Sequence, residues 1–234
     1  MIKNFDWGNT TLEYINLFTK ENFIERTYEK HSSVKSGDIV LDVGANCGSF
    51  TCSILGRGPQ HVYCVEPSNT LVNALKNNVK TAPVTIINKA VSDKKEDSKV
   101  IPDSGVYIYG NDGNTYATTT FKDIVEENNI TRIDFLKFDC EGGEYSIFTK
   151  DNYDFIITNV KHYAGEWHIT DHENAVERFI EYRDLYLEGC AEVHVYERAG
   201  DEVTHRIWDN DYLYSFRDWW KHTYFGQFLI YVTH

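Results

Sequence analysis

The feature that most constrains this chain is a short apolar run, Asp38-Ile39-Val40-Leu41-Asp42-Val43, that leads straight into a glycine-bounded turn, Gly44-Ala45-Asn46-Cys47-Gly48-Ser49-Phe50. A β-branched run without polar alternation reads as a strand buried on both faces, and both faces of a sheet are covered where helices alternate with strands. The pattern recurs downstream. It predicts a second strand over 60–66, a helix over 68–80, a third strand over 84–87, a helix over 121–128 and a fourth strand over 132–140. A short helix follows Gly142-Gly143, and a fifth strand ends near Gly165-Glu166-Trp167. Such alternation predicts a parallel sheet.

The ends of the chain are less regular. Leu12, Ile15, Phe18, Ile24 and Tyr28 recur at roughly helical spacing, which predicts one or two amphipathic helices over 11–31 covering one side of the sheet. Residues 98–119 alternate weakly around an Asn111-Asp112-Gly113 turn signal, a hairpin or an irregular excursion. Thr170 and Glu173 form a capping box for a helix carrying Val176, Phe179, Ile180 and Tyr186. Residues 191–196 and 228–232 read as closing strands with no evident helix between them, which predicts an antiparallel end to the sheet. With 234 residues, four prolines, no repeat and no linker, the expectation is one domain over 1–234.

Composition narrows the function. Hydrophobic residues at 41% and charged residues at 25% suit a folded globular chain, and nothing approaches the roughly 18 consecutive apolar residues of a membrane span. Lys3, Asn4, Asp6 and Asn9 leave no apolar segment for a secretory signal, so a cytoplasmic protein without a membrane partner is expected. Cys47, Cys52, Cys64, Cys140 and Cys190 are odd in number and lack zinc-site spacing, so they read as reduced thiols lining the core or a pocket. A net charge of −13 repels phosphate backbones, and Lys94, Lys95 and Lys99 are interleaved with Asp93, Glu96 and Asp97, so nucleic acid is disfavoured. Trp208, Tyr212, Tyr214, Phe216, Trp219, Trp220, Tyr224 and Phe225 crowd the carboxyl end, where they line an acceptor pocket or finish the core.

In open α/β sheets, ligands bind beyond the carboxyl ends of the strands at the point where strand order reverses. The Gly44 to Gly48 spacing departs from the Gly-x-Gly-x-x-Gly of dinucleotide binders, and no P-loop Lys follows. Glu66, about 20 residues on, ends the second strand, where a carboxylate accepts hydrogen bonds from both hydroxyls of an adenosine ribose. The fourth strand delivers Asp139-Cys140-Glu141-Gly142-Gly143-Glu144, concentrating three carboxylates at the same edge.

These segments resemble the FkbM-type methyltransferases, with their Asp-Val-Gly-Ala-Asn-x-Gly loop (42–48), Glu-Pro (66–67) and Asp-x-Glu-Gly-x-Glu signature (139–144). Ala90-Val91-Ser92-Asp93 agrees with the resemblance, as does Thr118 to Asp123, where Phe121 and Lys122 depart from the family's Thr-Leu-Asp-like helix start. The resemblance covers about Gly37 to His168 and implies a Rossmann-like, doubly wound, mostly parallel seven-stranded sheet with an antiparallel last strand and helices on both faces. It divides the expected domain into an N-terminal helical cover (1–36), a cofactor-binding core (37–168) and a C-terminal helix with closing strands (169–234). The implied cofactor is S-adenosyl-L-methionine. Asp42, Gly44, Asn46 and Gly48 would hold its methionine part, Glu66 its ribose, and Ala90, Val91 and Asp93 the neighbourhood of its adenine, with Ala45, Pro67 and Asp139 also among the cofactor-binding residues.

Methyl transfer from a sulfonium is an in-line displacement, so the protein chiefly positions the acceptor and removes its proton. Candidate catalytic residues are Asp139, Glu141, Glu166 and His168. His168 has the most suitable ordinary pKa, although a polar residue beside the capping box is the other reading. Mg2+ suits such ligands, but spacing does not establish a site and no metal is assigned. The expected acceptor is a hydroxyl on a sugar, glycan or small metabolite. The alternatives are a cofactor-binding module without catalysis and a nicotinamide-dependent oxidoreductase, the latter disfavoured by the glycine spacing.

Overall fold

The computed structural model describes residues 4–95, 99–100, 115–169, 174–220 and 226–234. Seven strands form the main sheet: β1 (Ile39–Val43), β2 (His61–Val65), β3 (Val84–Ile87), β4 (Ile133–Phe138), β5 (Val160–His168), β6 (Glu192–Glu197) and β7 (Gln227–Thr233). Their spatial order is β6-β7-β5-β4-β1-β2-β3. Strands β3, β2, β1, β4 and β5 pair in parallel, while β7 inserts antiparallel between β5 and β6. This is the Rossmann-like, doubly wound sheet expected, with strand order reversing between β1 and β4.

Among the described residues eight α-helices surround it: α1 (Leu12–Thr19), α2 (Ser49–Leu55), α3 (Asn69–Val79), α4 (Phe121–Glu127), α5 (Glu144–Ile147), α6 (Tyr153–Asn159), α7 (Ala175–Tyr182) and α8 (Asn210–Trp220). Alternation within the strands builds a core on each face. Val40, Val62, Cys64, Phe135 and Ala164 meet Phe50 and Ile54 of α2, Leu75 of α3 and the N-terminal Tyr28. Leu41, Val43, Leu136 and Phe138 meet Ile124 of α4, Phe179 of α7 and Phe216 of α8. Registers align the strand ends: Val43 stands beside Val65 and Phe138, Val65 beside Ile87, and Phe138 beside Gly165. The loops after β1, β2 and β4, and the last residues of β5, therefore share one edge.

Two expectations need correction. A helix, α8, does lie between β6 and β7; Leu213 and Phe216 on one face are buried while Trp219 is 81% exposed, so aromatic crowding hid a helical period. The N-terminal segment does not dock by a continuous amphipathic face. Helix α1 buries no residue, and Leu12 and Ile24 are 73% and 70% exposed. A π-helical stretch, Lys20–Glu25, follows α1 and ends at Arg26 in the left-handed region; its wider turn carries Ile24 away from the face of Ile15 and Phe18. Tyr28 and Val34 supply the docking instead.

The C-terminal aromatic group divides. Phe216 stacks on Phe228 at 4.4 Å and finishes the core, whereas Trp208 and Trp219 face outward; Tyr224 and Phe225 lie outside the described residues. The capping box of Thr170 and Glu173 and the Asn111-Asp112-Gly113 turn also lie outside them. Lys99–Val100 pairs antiparallel with Thr115–Tyr116, as the arms of a hairpin would. All five cysteines are free, with Cys47, Cys52 and Cys64 buried. Among the described residues no helix is long and apolar enough to cross a membrane.

Candidate active site

The loop after β1 rests on a buried ion pair. Asp42, wholly buried, accepts a hydrogen bond from Thr51 Oγ1 at 2.7 Å, and its other oxygen lies 3.3 Å from Lys137 Nζ. Lys137 also donates to the carbonyl of Gly44 at 2.8 Å. Burial pulls the lysine's pKa down, but the charges of Asp42 and Asp139 outweigh it and hold the ammonium above its ordinary value. Asp42 thus supports the loop from beneath rather than facing a ligand.

Gly44 takes φ 75°, and a Cβ there would stand 1.7 Å from the carbonyl oxygen of Asp139. The glycine permits close approach of the turns after β1 and β4, a reason internal to the protein. The Gly48 amide donates to the Ala45 carbonyl at 2.9 Å and closes the loop. Asn46 N donates to Glu66 Oε2 and Ser68 N to Glu66 Oε1, both at 2.9 Å. Each oxygen keeps a free lone pair, which is the arrangement a vicinal diol needs. Asn88 Nδ2 donates to the carbonyls of Glu66 at 3.0 Å and Pro67 at 2.8 Å, pinning the turn.

Burial pushes the Glu66 carboxyl from 4.5 to about 7 against the opposing backbone hydrogen bonds. A carboxyl raised on folding contributes stability that is present below its unfolded pKa and lost as the pH rises through its folded one. The apo protein is therefore expected to lose stability, on the order of 3 kcal/mol, as the pH rises through that window. Urea denaturation of Glu66→Gln should show this slope flattened; an unchanged slope would refute the assignment.

Ala90–Val91 pairs in parallel with Thr118–Thr119. The exposed Asp93 accepts a hydrogen bond from Ser92 Oγ at 3.1 Å. Thr120 caps α4 by accepting from Asp123 N at 3.0 Å, so the Thr118 to Asp123 segment is a strand end running into a capped helix.

Beyond β4 and β5, all four predicted catalytic residues converge. Glu144, wholly buried, accepts from the His168 amide at 2.8 Å and lies 3.0 Å from His168 Nδ1. His168 Nε2 lies 3.5 Å from Glu141 and 3.6 Å from Glu166. Gln227 donates to Glu166 from β7, and Tyr28 Oη donates to Asp139 Oδ2 at 2.9 Å from the N-terminal segment. Glu141 is reached through a left-handed backbone, φ 51°.

Burial opposes charge on His168, but Glu141, Glu144 and Glu166 outweigh it and hold the imidazole well above its ordinary value. Burial would raise Glu144, yet His168 keeps it low. Burial lifts Glu141 to about 7, and burial with the charge of Asp139 pushes Glu166 up further. The neighbouring carboxylates thus favour the protonated imidazole, so the ordinary pKa that suits His168 to the role of base does not apply in this setting. Its charge instead fixes the carboxylates around it. Asp139, Glu141 and His168 each offer a ligand atom within 4.8 Å of the others, a donor set suited to a divalent cation. Binding one would displace the proton on His168.

The sequence does not reveal Lys137, Tyr28 or the pairing of Glu144 with His168 by any local pattern of partners. A lysine inside an apolar strand does signal a buried partner, and Glu144 lies within the Asp-x-Glu-Gly-x-Glu segment. Tyr28 lies more than 100 residues from Asp139 in the chain, with no local signal.

No curated protein matches the sequence. Solved structures similar to this chain include three of low identity. Precorrin-6y C5,15-methyltransferase from Geobacter metallireducens GS-15 is 10% identical, with 100% of this chain and 94% of that one covered and a TM-score of 0.45. The precorrin 8W decarboxylase of Methanobacterium thermoautotrophicum is 14% identical, with 97% and 92% covered and a TM-score of 0.44. M. jannaschii TYW2, solved in complex with AdoMet, is 12% identical, with 96% and 76% covered and a TM-score of 0.44. The model of the methyltransferase FkbM domain matches residues 42–201, from the Asp42 that anchors the first loop to just beyond β6. With that match spanning well over half of the sequence, the chain belongs to the FkbM methyltransferase family.

Proposed function

We propose that the protein transfers the methyl group of S-adenosylmethionine to a hydroxyl on a sugar, glycan or small metabolite. The observation that carries the cofactor is Glu66, buried at the end of β2, with each carboxylate oxygen held by one backbone N–H and one lone pair left for a ribose hydroxyl. Gly44, Ala45, Asn46 and Gly48, with Asp139 across from them, form the wall for the methionine part. Asp42 acts through Thr51 and Lys137, Pro67 shapes the ribose turn, and Ala90, Val91 and Asp93 lie towards the adenine.

Bound there, the cofactor supplies an electrophilic methyl on a positively charged sulfur. The residues of the chain orient the acceptor and take its proton. Glu141 or Glu166 receives the proton from the hydroxyl as the oxygen attacks, since both carboxyls are lifted towards neutrality. The imidazolium of His168 lies within 3.6 Å of both and steadies the carboxylate that is ionised. The acidic balance of −13 favours a small or glycan acceptor over nucleic acid, and free thiols fit a cytoplasmic setting.

Calorimetric titration with S-adenosylhomocysteine tests this reading. Saturable binding by the native protein, weakened at least tenfold in Glu66→Ala, is expected from loss of hydrogen bonds to a charged group. No binding by the native protein would overturn the reading.

A further inference from the structure

The N-terminal segment lies outside the matched family region, residues 42–201, yet it enters the site. It is held to the sheet at several points. Tyr231 Oη donates to the Thr27 carbonyl at 2.6 Å, Glu29 pairs with Arg57 of the turn after α2, and Glu29 Oε1 accepts from Val34 N at 2.9 Å. His31 stacks on His194 of β6 with centroids 3.7 Å apart. Between these anchors Tyr28 is 3% exposed, with its ring edge-on to Phe50 and 5.2 Å from Lys137 Nζ. Its hydroxyl reaches across to Asp139 Oδ2 at 2.9 Å.

Asp139 needs such a restraint. Its backbone is fixed by the bond from its amide to the Val43 carbonyl at 3.0 Å, but its side chain sits among like charges, because Glu21, Glu141 and Glu166 all feel it as a neighbour. The Lys137 ammonium attracts the same group, so charge alone does not fix its orientation. A phenol donor on one oxygen does fix it and leaves the other free for a donor on a ligand.

We propose that Tyr28 is a positioning residue: its hydroxyl holds the Asp139 carboxylate against the amino-acid end of the bound cofactor, so that a segment outside the family's matched region completes the cofactor site. The inference rests on the cofactor reading proposed above.

The test is a double-mutant cycle on S-adenosylhomocysteine binding with Tyr28→Phe, Asp139→Asn and both together, measured by calorimetry. 5′-Methylthioadenosine, which lacks the amino-acid end, serves as a second probe. Tyr28→Phe keeps the packed ring, so its melting temperature should stay near that of the native protein. Its affinity for S-adenosylhomocysteine should fall about tenfold, the size of one hydrogen bond to a charged group. Affinity for 5′-methylthioadenosine should stay unchanged. In the Asp139→Asn background the same change should weaken S-adenosylhomocysteine less than about threefold, because the two residues act as a unit. Full additivity, an unchanged affinity in Tyr28→Phe, or equal losses for both probes would overturn the positioning role while leaving the cofactor reading intact. Failure of the native protein to bind either probe would overturn the cofactor reading, and the positioning role with it.

Discussion

Replacing Lys137 with methionine is expected to remove about 3–5 kcal/mol of folding stability, because it leaves a buried carboxylate without its partner. Asp42 has no exposed surface, and Lys137 is 4% exposed at the side chain. The ammonium is the only cation recorded as pairing with Asp42 among the described residues, and it also satisfies the Gly44 carbonyl. Methionine matches the lysine stem in length, so the change removes charge with little change in packing. Equilibrium urea denaturation reads the effect. The double variant with Asp42→Asn should recover part of the loss, since the orphaned charge is gone while Thr51 still has an oxygen to donate to. A loss below about 1 kcal/mol in Lys137→Met would mean that the pair is effectively solvated and does not support the loop.

Gly44→Ala should have a larger effect still, more than about 4 kcal/mol or outright failure to fold. Two costs combine there. The backbone has φ 75°, and the added Cβ would stand 1.7 Å from the Asp139 carbonyl oxygen and 2.7 Å from its carbonyl carbon. That obstacle is main chain at the end of the central strand β4 and cannot rotate aside, so the turns after β1 and β4 must separate. Gly37→Ala isolates the first cost, since Gly37 has φ 85° but nothing within 4 Å of the new Cβ. It should lose only about 1–2 kcal/mol. Equal denaturation midpoints for the two variants would show that the approach of β1 to β4 is not what Gly44 provides.

The same turn shows where reasoning from the sequence stops. The place of Gly44 after a buried strand points to a close approach to a ligand; the structure adds a second close approach, to the strand end that carries Asp139. The reason is that a glycine marks a close approach without naming what approaches, and Asp139 lies almost 100 residues further along the chain.

His168 gives the parallel case in the acid group. Its place at the end of β5 follows from the strand pattern, and so does that of Glu141 at the end of β4. Its ionisation depends on three carboxylates gathered from two strand ends, within 3.0 to 3.6 Å of the ring. Ordinary pKa values apply to a solvated side chain, and only folding sets how much burial opposes and how much neighbouring charge restores. The preference for the protonated imidazole could therefore not be read from spacing.

Local periodicity determined the parallel core by itself. Apolar runs mark buried strands even where a polar residue interrupts them, as Asp42 and Lys137 do in β1 and β4, so β1 to β5 and the helices α2 to α5 are legible from 38 onward, β3 to the residue, while α6 is not. Periodicity failed where a residue's role depended on partners far away in sequence. Helix α8 was hidden because aromatic residues served both its buried and its exposed faces, and the N-terminal segment because a π turn broke its period after Thr19. The sequence alone thus determined the sheet, its ligand-facing edge and the acids that crowd it. Only the tertiary structure decided that Lys137 neutralises Asp42, that Glu144 holds His168 and that Tyr28 reaches Asp139, because each of those pairings joins groups whose charge or hydrogen-bonding need is set by burial, and burial exists only once the distant segments have packed.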